Sequence, residues 1–190
     1  MYELRFKTSP IWTETVLNDF DSFLIDHAAA EKKASGMAVS MLSHYPDKPD
    51  IVRAMVDLSI EEMAHFREVV KILLERGLQL AADTRDPYVN QLRELSRKGS
   101  DVYMLDRLLL GSVIEARGCE RFGLVAQALP AGNMKTFYEA ITESESRHED
   151  LFLNLALNYF PENDVHQRLH ELLDAEAEIV AALPIVAALH

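Results

Sequence analysis

Glu31, Glu62, His65, Glu115, Glu145 and His148 each fall midway along an apolar seam rather than on a charged face. A buried carboxylate is costly unless it is paired, hydrogen-bonded or bound to metal. Four converging in one core would repel one another by more than the small net stability of a domain can absorb. Divalent or trivalent cations remove that difficulty. Glu62 with His65, and Glu145 with His148, are Glu-x-x-His pairs, and residues three apart share a helix face. Two such pairs plus one glutamate from each of two further helices make up the ligand set of dinuclear iron or manganese carboxylate bundles.

The spacing strengthens this reading. Glu31 precedes Glu62 by 31 residues and Glu115 precedes Glu145 by 30. From the first half to the second, the offsets are 84 for the lone glutamates, 83 for the paired glutamates and 83 for the histidines. The pattern is that of a duplicated helix pair, each copy supplying Glu and then Glu-x-x-His. A bundle held by internal salt bridges is the competing explanation. It fails on charge, because the seams carry two matching histidines and no lysine or arginine.

The elements that must position these residues can be read from the punctuation. A first helix is expected from Ser9-Pro10 to just before Tyr45-Pro46, with proline at its first position. A second runs from about Pro49 to Arg76 and is ended by Gly77. The third starts at Ser100-Asp101 and reaches about Leu129, before Pro130. The fourth spans roughly Gly132 to Tyr159, and a fifth about Asn163 to Leu183, before Pro184. Strand signals are nearly absent. Between helices two and three lies the one long connection, Gly77 to Gly99, with a short helix around Tyr88–Arg97. The expected fold is therefore all-α: a ferritin-like four-helix bundle with one long crossover between helices two and three, plus a C-terminal fifth helix.

Composition sets the frame. The chain has 190 residues, 48% of them hydrophobic, which suits one domain over 1–190. Its net charge of −12 argues against a polybasic protein that coats membranes or nucleic acid, though not against a local basic patch. The single cysteine, Cys119, excludes an intrachain disulfide and points to a reducing compartment. The first residues lack the apolar core of a signal peptide, and no run of 18 apolar residues exists. A cytoplasmic protein with no membrane partner is expected.

Several neighbours of the six carry two readings. Glu61 lies four residues from His65, but Glu62 matches the spacing that Glu145 and His148 share. Glu120 leaves the seam and reads more plainly as a salt-bridge partner of Arg117 or Arg121 than as part of the site. His27, one turn before Glu31, is a satisfied core histidine or an additional ligand, the former being the plainer reading. Cys119 and Tyr138 could touch the site or simply fill core.

Four segments carry a resemblance to a known family. They are His27-Ala-Ala-Ala-Glu31-Lys-Lys-Ala34, Glu61-Glu-Met-Ala-His65-Phe66, Ile114-Glu-Ala-Arg-Gly-Cys-Glu-Arg-Phe122 and Ser144-Glu-Ser-Arg-His-Glu-Asp150. The sequence resembles the MiaE tRNA hydroxylases from Ile11 to Leu183. The Glu-x-x-His pairs recur in many ferritin-like proteins, whereas the Glu-Ala-Arg-Gly-Cys-Glu-Arg-Phe stretch is more distinctive. The resemblance implies a di-iron monooxygenase with two iron ions, dioxygen as co-substrate and an external electron donor of reductase or ferredoxin type. The implied substrate is 2-methylthio-isopentenyladenosine next to the tRNA anticodon, hydroxylated on its isopentenyl chain. Glu31, Glu62, His65, Glu115, Glu145 and His148 match the family's metal ligands.

An acidic chain must meet tRNA through a local patch, since nucleic-acid affinity is mostly phosphate neutralisation. Arg85, Arg93, Arg97 and Lys98 in the crossover, with Lys32 and Lys33 beside Glu31, are the candidates, and a solvated helix face is the alternative. The competing function is a ferritin- or rubrerythrin-like protein that oxidises iron or reduces peroxide.

Overall fold

The computed structural model describes residues 2–190 and contains seven helices and no strand among them. In order they are α1 Pro10–Asn18, α2 Phe20–His44, α3 Pro49–Glu75, α4 Pro87–Glu94, α5 Ser100–Ala128, α6 Asn133–Tyr159 and α7 Glu162–Ala182. The all-α expectation holds, and the long helices end within a residue or two of their predicted stops. The first expected helix is instead two. Asp19 interrupts it, accepting a hydrogen bond from the Ser22 N–H and capping α2. Asn18 and Asp19 are weak helix formers whose short polar side chains compete for backbone groups.

Chain contacts divide the fold into two compact units. One holds Glu14–Thr84 with Val186–Leu189; the other holds the chain to Thr13, Arg85–Ile185 and His190. In the first unit α2 packs against α3. The direction of packing follows from two links: Ser35 Oγ donates to the Ser59 carbonyl, and Arg76 reaches back to Asp21. As numbering rises along α2 it falls along α3, so Glu31 stands beside Glu62. Phe23, Leu24, Ala28 and Met41 of α2 bury against Ile51, Met55, Leu58 and Val69 of α3. The end of α3 is set by Gly77 at φ 73°, whose N–H bonds the Leu74 carbonyl while Leu78 N–H bonds that of Leu73. This paired closure is the αL stop that glycine adopts at little cost.

In the second unit α5 packs against α6 in the same antiparallel manner. Ser112 donates to the Glu149 carbonyl, Cys119 to that of Thr142, and Lys135 to that of Ala126. Glu115 therefore stands beside Glu145. Helix α5 is covered on other sides by α7 and α4, which is why seventeen of its residues are buried. The segment before α1 also lies along α5: Tyr2 bonds Ser112, and Thr8 donates from its N–H and hydroxyl to Glu120.

The α5–α6 crossing is tight at one point. A Cβ built on Gly111 would come within 2.9 Å of two Phe152 ring carbons, whereas one on Gly123 would meet only Thr142 Cγ2 at 3.5 Å. Phe152 is fully buried. Gly111→Ala is therefore expected to destabilise by about 1 kcal/mol, the overpacking cost exceeding the helix-propensity gain. Gly123→Ala should stabilise by roughly 0.5–1 kcal/mol. Urea unfolding of both variants checks this, and opposite signs are the expected result.

Candidate metal centre

Each unit builds one Glu, Glu-x-x-His triad from its helix pair. In the first, Glu31 of α2 meets Glu62 and His65 of α3. His65 Nδ1 lies 3.3 Å from Glu62 Oε2 and 3.6 Å from Glu31 Oε2. In the second, Glu115 of α5 meets Glu145 and His148 of α6, with His148 Nδ1 3.6 Å from Glu145 Oε2. Within each triad, one ligand atom from every residue lies within 4.8 Å of the others. All four glutamates are buried, at 4% for Glu31, 1% for Glu62, 7% for Glu115 and 4% for Glu145. The structure thus brings together the residues that the spacing singled out, three to a unit, and takes in Glu62 rather than Glu61.

The electrostatics of the first triad show what this burial demands. Burial opposes protonation of the His65 ring, but hydrogen bonds and charge from Glu31 and Glu62 outweigh it. Its pKa is pushed up to about 10. An imidazolium there offsets one of two carboxylate charges and leaves a surplus. A donor set of two carboxylates and one imidazole is what a divalent iron or manganese ion accepts, and binding would displace the ring proton. The residues present fit such an ion in each unit.

The neighbours sort themselves. His27 Nε2 lies 2.6 Å from Glu31 Oε1, with the ring wholly buried. Glu120 pairs with Arg117, as the plainer reading had it. The Cys119 thiol donates to the Thr142 carbonyl, and burial, with Glu149 and Glu145 nearby, pushes its pKa up to about 11. It is a packing thiol at neutral pH. Tyr138 is fully buried, tilted against the Phe122 ring at 5.8 Å.

Sequence reasoning missed Glu176. This α7 carboxylate is fully buried and receives Arg117 Nε at 2.8 Å, Arg117 Nη2 at 3.0 Å and the Tyr88 hydroxyl at 3.1 Å. Arg117 also donates to the Phe6 carbonyl, while Arg121 lies over the Trp12 ring at 5.0 Å. The distinctive Glu-Ala-Arg-Gly-Cys-Glu-Arg-Phe stretch therefore fastens α7, α4 and the N-terminal segment to α5. Nothing in the sequence pattern signalled this, because Arg117 lies off the apolar seam and its partner Glu176 is 59 residues away.

The proposed basic patch changes too. Arg97 binds Asp106 through Nη2 at 2.7 Å and through its backbone N–H at 2.7 Å, and Arg168 Nε adds a further bond at 2.9 Å. Lys32 pairs with Asp83, and Lys33 donates to the Thr84 carbonyl. Arg85, Arg93 and Lys98 are exposed, as is Arg97 despite its pairing.

An all-α chain with two buried carboxylate–histidine triads is of the ferritin-like class, and comparison with a solved structure agrees. Protein 43 with aldehyde deformylating oxygenase activity from Synechococcus is 32% identical. It matches with a TM-score of 0.94 over 100% of this chain and 96% of that one. The sequence matches the family described as tRNA-(MS[2]IO[6]A)-hydroxylase (MiaE) over residues 2–190. Two relatives bear the name tRNA 2-(methylsulfanyl)-N(6)-isopentenyladenosine(37) hydroxylase. That of Pseudomonas putida is 34% identical over 91% of this chain and 84% of its own length. That of Salmonella typhimurium is 30% identical over 82% of this chain, which spans 56% of that relative. This chain belongs to the MiaE family. No helix among the described residues is long and apolar enough to cross a membrane.

The Asp106 clamp yields a prediction in acid. Burial raises the Asp106 pKa, but Arg97 and Arg168 overcome it and hold the carboxyl below its ordinary value. A depressed native pKa gives stability that is full above the unfolded value, about 4, and lost as pH falls through the native one. Asp106→Asn should cost about 1.5 kcal/mol at pH 7, the scale of charge-assisted hydrogen bonds whose arginine partners keep some contact with solvent. It should also flatten the acid limb of a plot of denaturation midpoint against pH.

Proposed function

We propose that this chain is a di-iron monooxygenase that hydroxylates the isopentenyl side chain of 2-methylthio-isopentenyladenosine in tRNA. The observation that carries it is the pair of buried Glu, Glu-x-x-His triads in a chain that matches the MiaE family from residue 2 to its last residue. Glu31, Glu62 and His65 would hold one iron and Glu115, Glu145 and His148 the other, the two units acting as a single ferritin-like domain. Bound there, two ferrous ions would supply dioxygen activation, with one oxygen atom going into the substrate C–H bond and the other leaving as water at the expense of two protons and two external electrons.

The chain's own residues hold the metals' charge in place and keep water away from them. The four carboxylates match the four positive charges of a diferrous pair, and their burial excludes bulk solvent. Electrons come from a separate reductase or ferredoxin-type protein, because one cysteine cannot anchor an iron–sulfur cluster. The substrate base adjoins the anticodon, where it is single-stranded and can be splayed into a pocket. Exposed Arg85, Arg93 and Lys98 are the cations offered to the tRNA backbone; Arg97 is engaged by Asp106. A cytoplasmic location suits a tRNA substrate.

The oxygenase name of the Synechococcus protein favours one other reading, an aldehyde as the oxidised substrate on the same architecture. Iron storage or peroxide reduction by a ferritin- or rubrerythrin-like protein is the more distant rival.

Metal removal should lower the thermal midpoint, measured by calorimetry before and after chelation. An unchanged midpoint would count against the two triads as metal sites. For the reaction, iron-loaded and chemically reduced protein is mixed with oxygen and tRNA carrying the isopentenyl adenosine, and the digested nucleosides are weighed by mass spectrometry. A gain of one oxygen is expected, abolished by Glu115→Ala. No gain from protein holding two irons per chain would keep the metal sites and discard the tRNA substrate.

A further inference from the structure

Helix α3 carries two apolar stripes, one buried and one open to solvent. Ile51, Met55, Leu58, Val69 and Leu73 are buried, on the side that holds Glu62. Roughly 140° around the helix, at about 100° per residue, runs the second stripe: Val52, Val56, Ile60, Met63, Val70 and Leu74. Arg67 fills the one gap in its steps of three and four. Val56 is 40% exposed, Met63 44%, and Ile60 and Leu74 65% each, while Val52 and Val70 are half-buried. Single exposed apolar side chains are ordinary, but a stripe kept up over roughly six turns marks an interaction face.

The charges beside this stripe say what covers it. Along one edge stand Arg53, Asp57, Lys71 and Glu75, all exposed and alternating in sign along the chain. Neighbours on the helix hold two of them: Arg53 lies 3.6 Å from Asp50 and Lys71 2.8 Å from Glu68, both pairs in solvent. Exposed pairs of this kind contribute little and exchange readily. A second α3 laid antiparallel on the first puts Met63 against the partner's Met63. Val52 then meets the partner's Leu74, Val56 the partner's Val70, and Ile60 the stem of the partner's Arg67. The same register sets Arg53 beside the partner's Glu75 and Asp57 beside the partner's Lys71, each pair occurring twice by symmetry. A parallel pairing would instead set Arg53 against the partner's Arg53 and Asp57 against the partner's Asp57. The face therefore matches an inverted copy of itself in both apolar pattern and charge, as an isologous contact requires. A lipid surface would call for one sign of charge there, not an alternation.

We propose that the exposed stripe of α3 is a dimerisation face, through which the chain pairs with a second copy of itself by two antiparallel α3 helices about a two-fold axis at Met63. Glu62 and His65 fall outside the stripe, so the inference stands whether or not the triads bind iron.

Sedimentation equilibrium of the full-length protein, run from low to high micromolar concentration, is the test. A mass twice the 21.5 kDa of one chain is expected. Ile60→Asp, at a position already open to solvent, should keep native helicity by circular dichroism and weaken association by at least about 100-fold. Asp57→Lys and Lys71→Asp set like charges together, and each should weaken association by about 10-fold. The double variant Asp57→Lys/Lys71→Asp should recover wild-type association, because opposite charges meet again in exchanged places. If Ile60→Asp lost helicity, the charge series would decide alone, since its residues are exposed. Wild type that stays monomeric throughout would overturn the proposal and leave the stripe to a different partner. So would a dimer indifferent to Ile60→Asp, or a double variant that associates no more tightly than the single ones.

Discussion

Burying carboxylates is the problem around which this protein is organised, and it is met in two chemically different ways. Glu176 and Asp106 lie wholly inside, each gripped by guanidinium groups: Arg117 for the first, Arg97 and Arg168 for the second. An arginine never gives up its proton under ordinary conditions, so those charges are neutralised permanently. They serve to join helices. Glu31 and Glu62 share His65, and Glu145 faces His148. An imidazole can surrender its proton and offer the same nitrogen to a metal ion. The choice of partner separates acids that hold the fold from acids available for chemistry.

The helix pairs exist in the form they do because of that demand. A carboxylate pair needs two helices in fixed register, and both hairpins provide it through cross-links close to the glutamates. Ser35 to Ser59 lies one turn beyond Glu31, and Ser112 to Glu149 lies one turn before Glu115. A slip of one residue would turn a glutamate out of the seam by roughly a hundred degrees. The second unit fixes its register further by wrapping α5 with α4, α7 and the N-terminal segment. The arginines of α5 that point away from the metal side are the fasteners. One helix thereby carries a ligand on one face and its own scaffolding on another.

Much of this was legible in the sequence because it is local or periodic. Seams of three and four residues located the six candidate ligands, and proline and glycine marked the helix ends. The internal duplication exposed the pairing before any coordinate was needed. What escaped was long-range: Glu176 answers Arg117 across 59 residues, and Tyr2 meets Ser112 across 110. Such partners leave no spacing to read. Arg97 does lie at the surface, as its place in a run of basic residues suggested, but its pairing with Asp106 left no spacing signal to read. The α1–α2 break at Asp19 turned on one side-chain hydrogen bond that helix periodicity does not register.

A shared scaffold does not choose its substrate. The Synechococcus protein and the two bacterial relatives carry different activity names, yet this chain matches both at about a third identity. For a tRNA the difficulty is charge: a protein of net −12 gains nothing from its overall field. Attraction must come from a few exposed cations against a repulsive background, which makes binding weak wherever only phosphates are offered. Discrimination then falls on the base itself. A thiomethylated adenine bearing a branched alkene offers more apolar surface to bury than an ordinary nucleotide does. An acidic surface repels RNA in general, so affinity has to come from contacts with the base rather than with the phosphates.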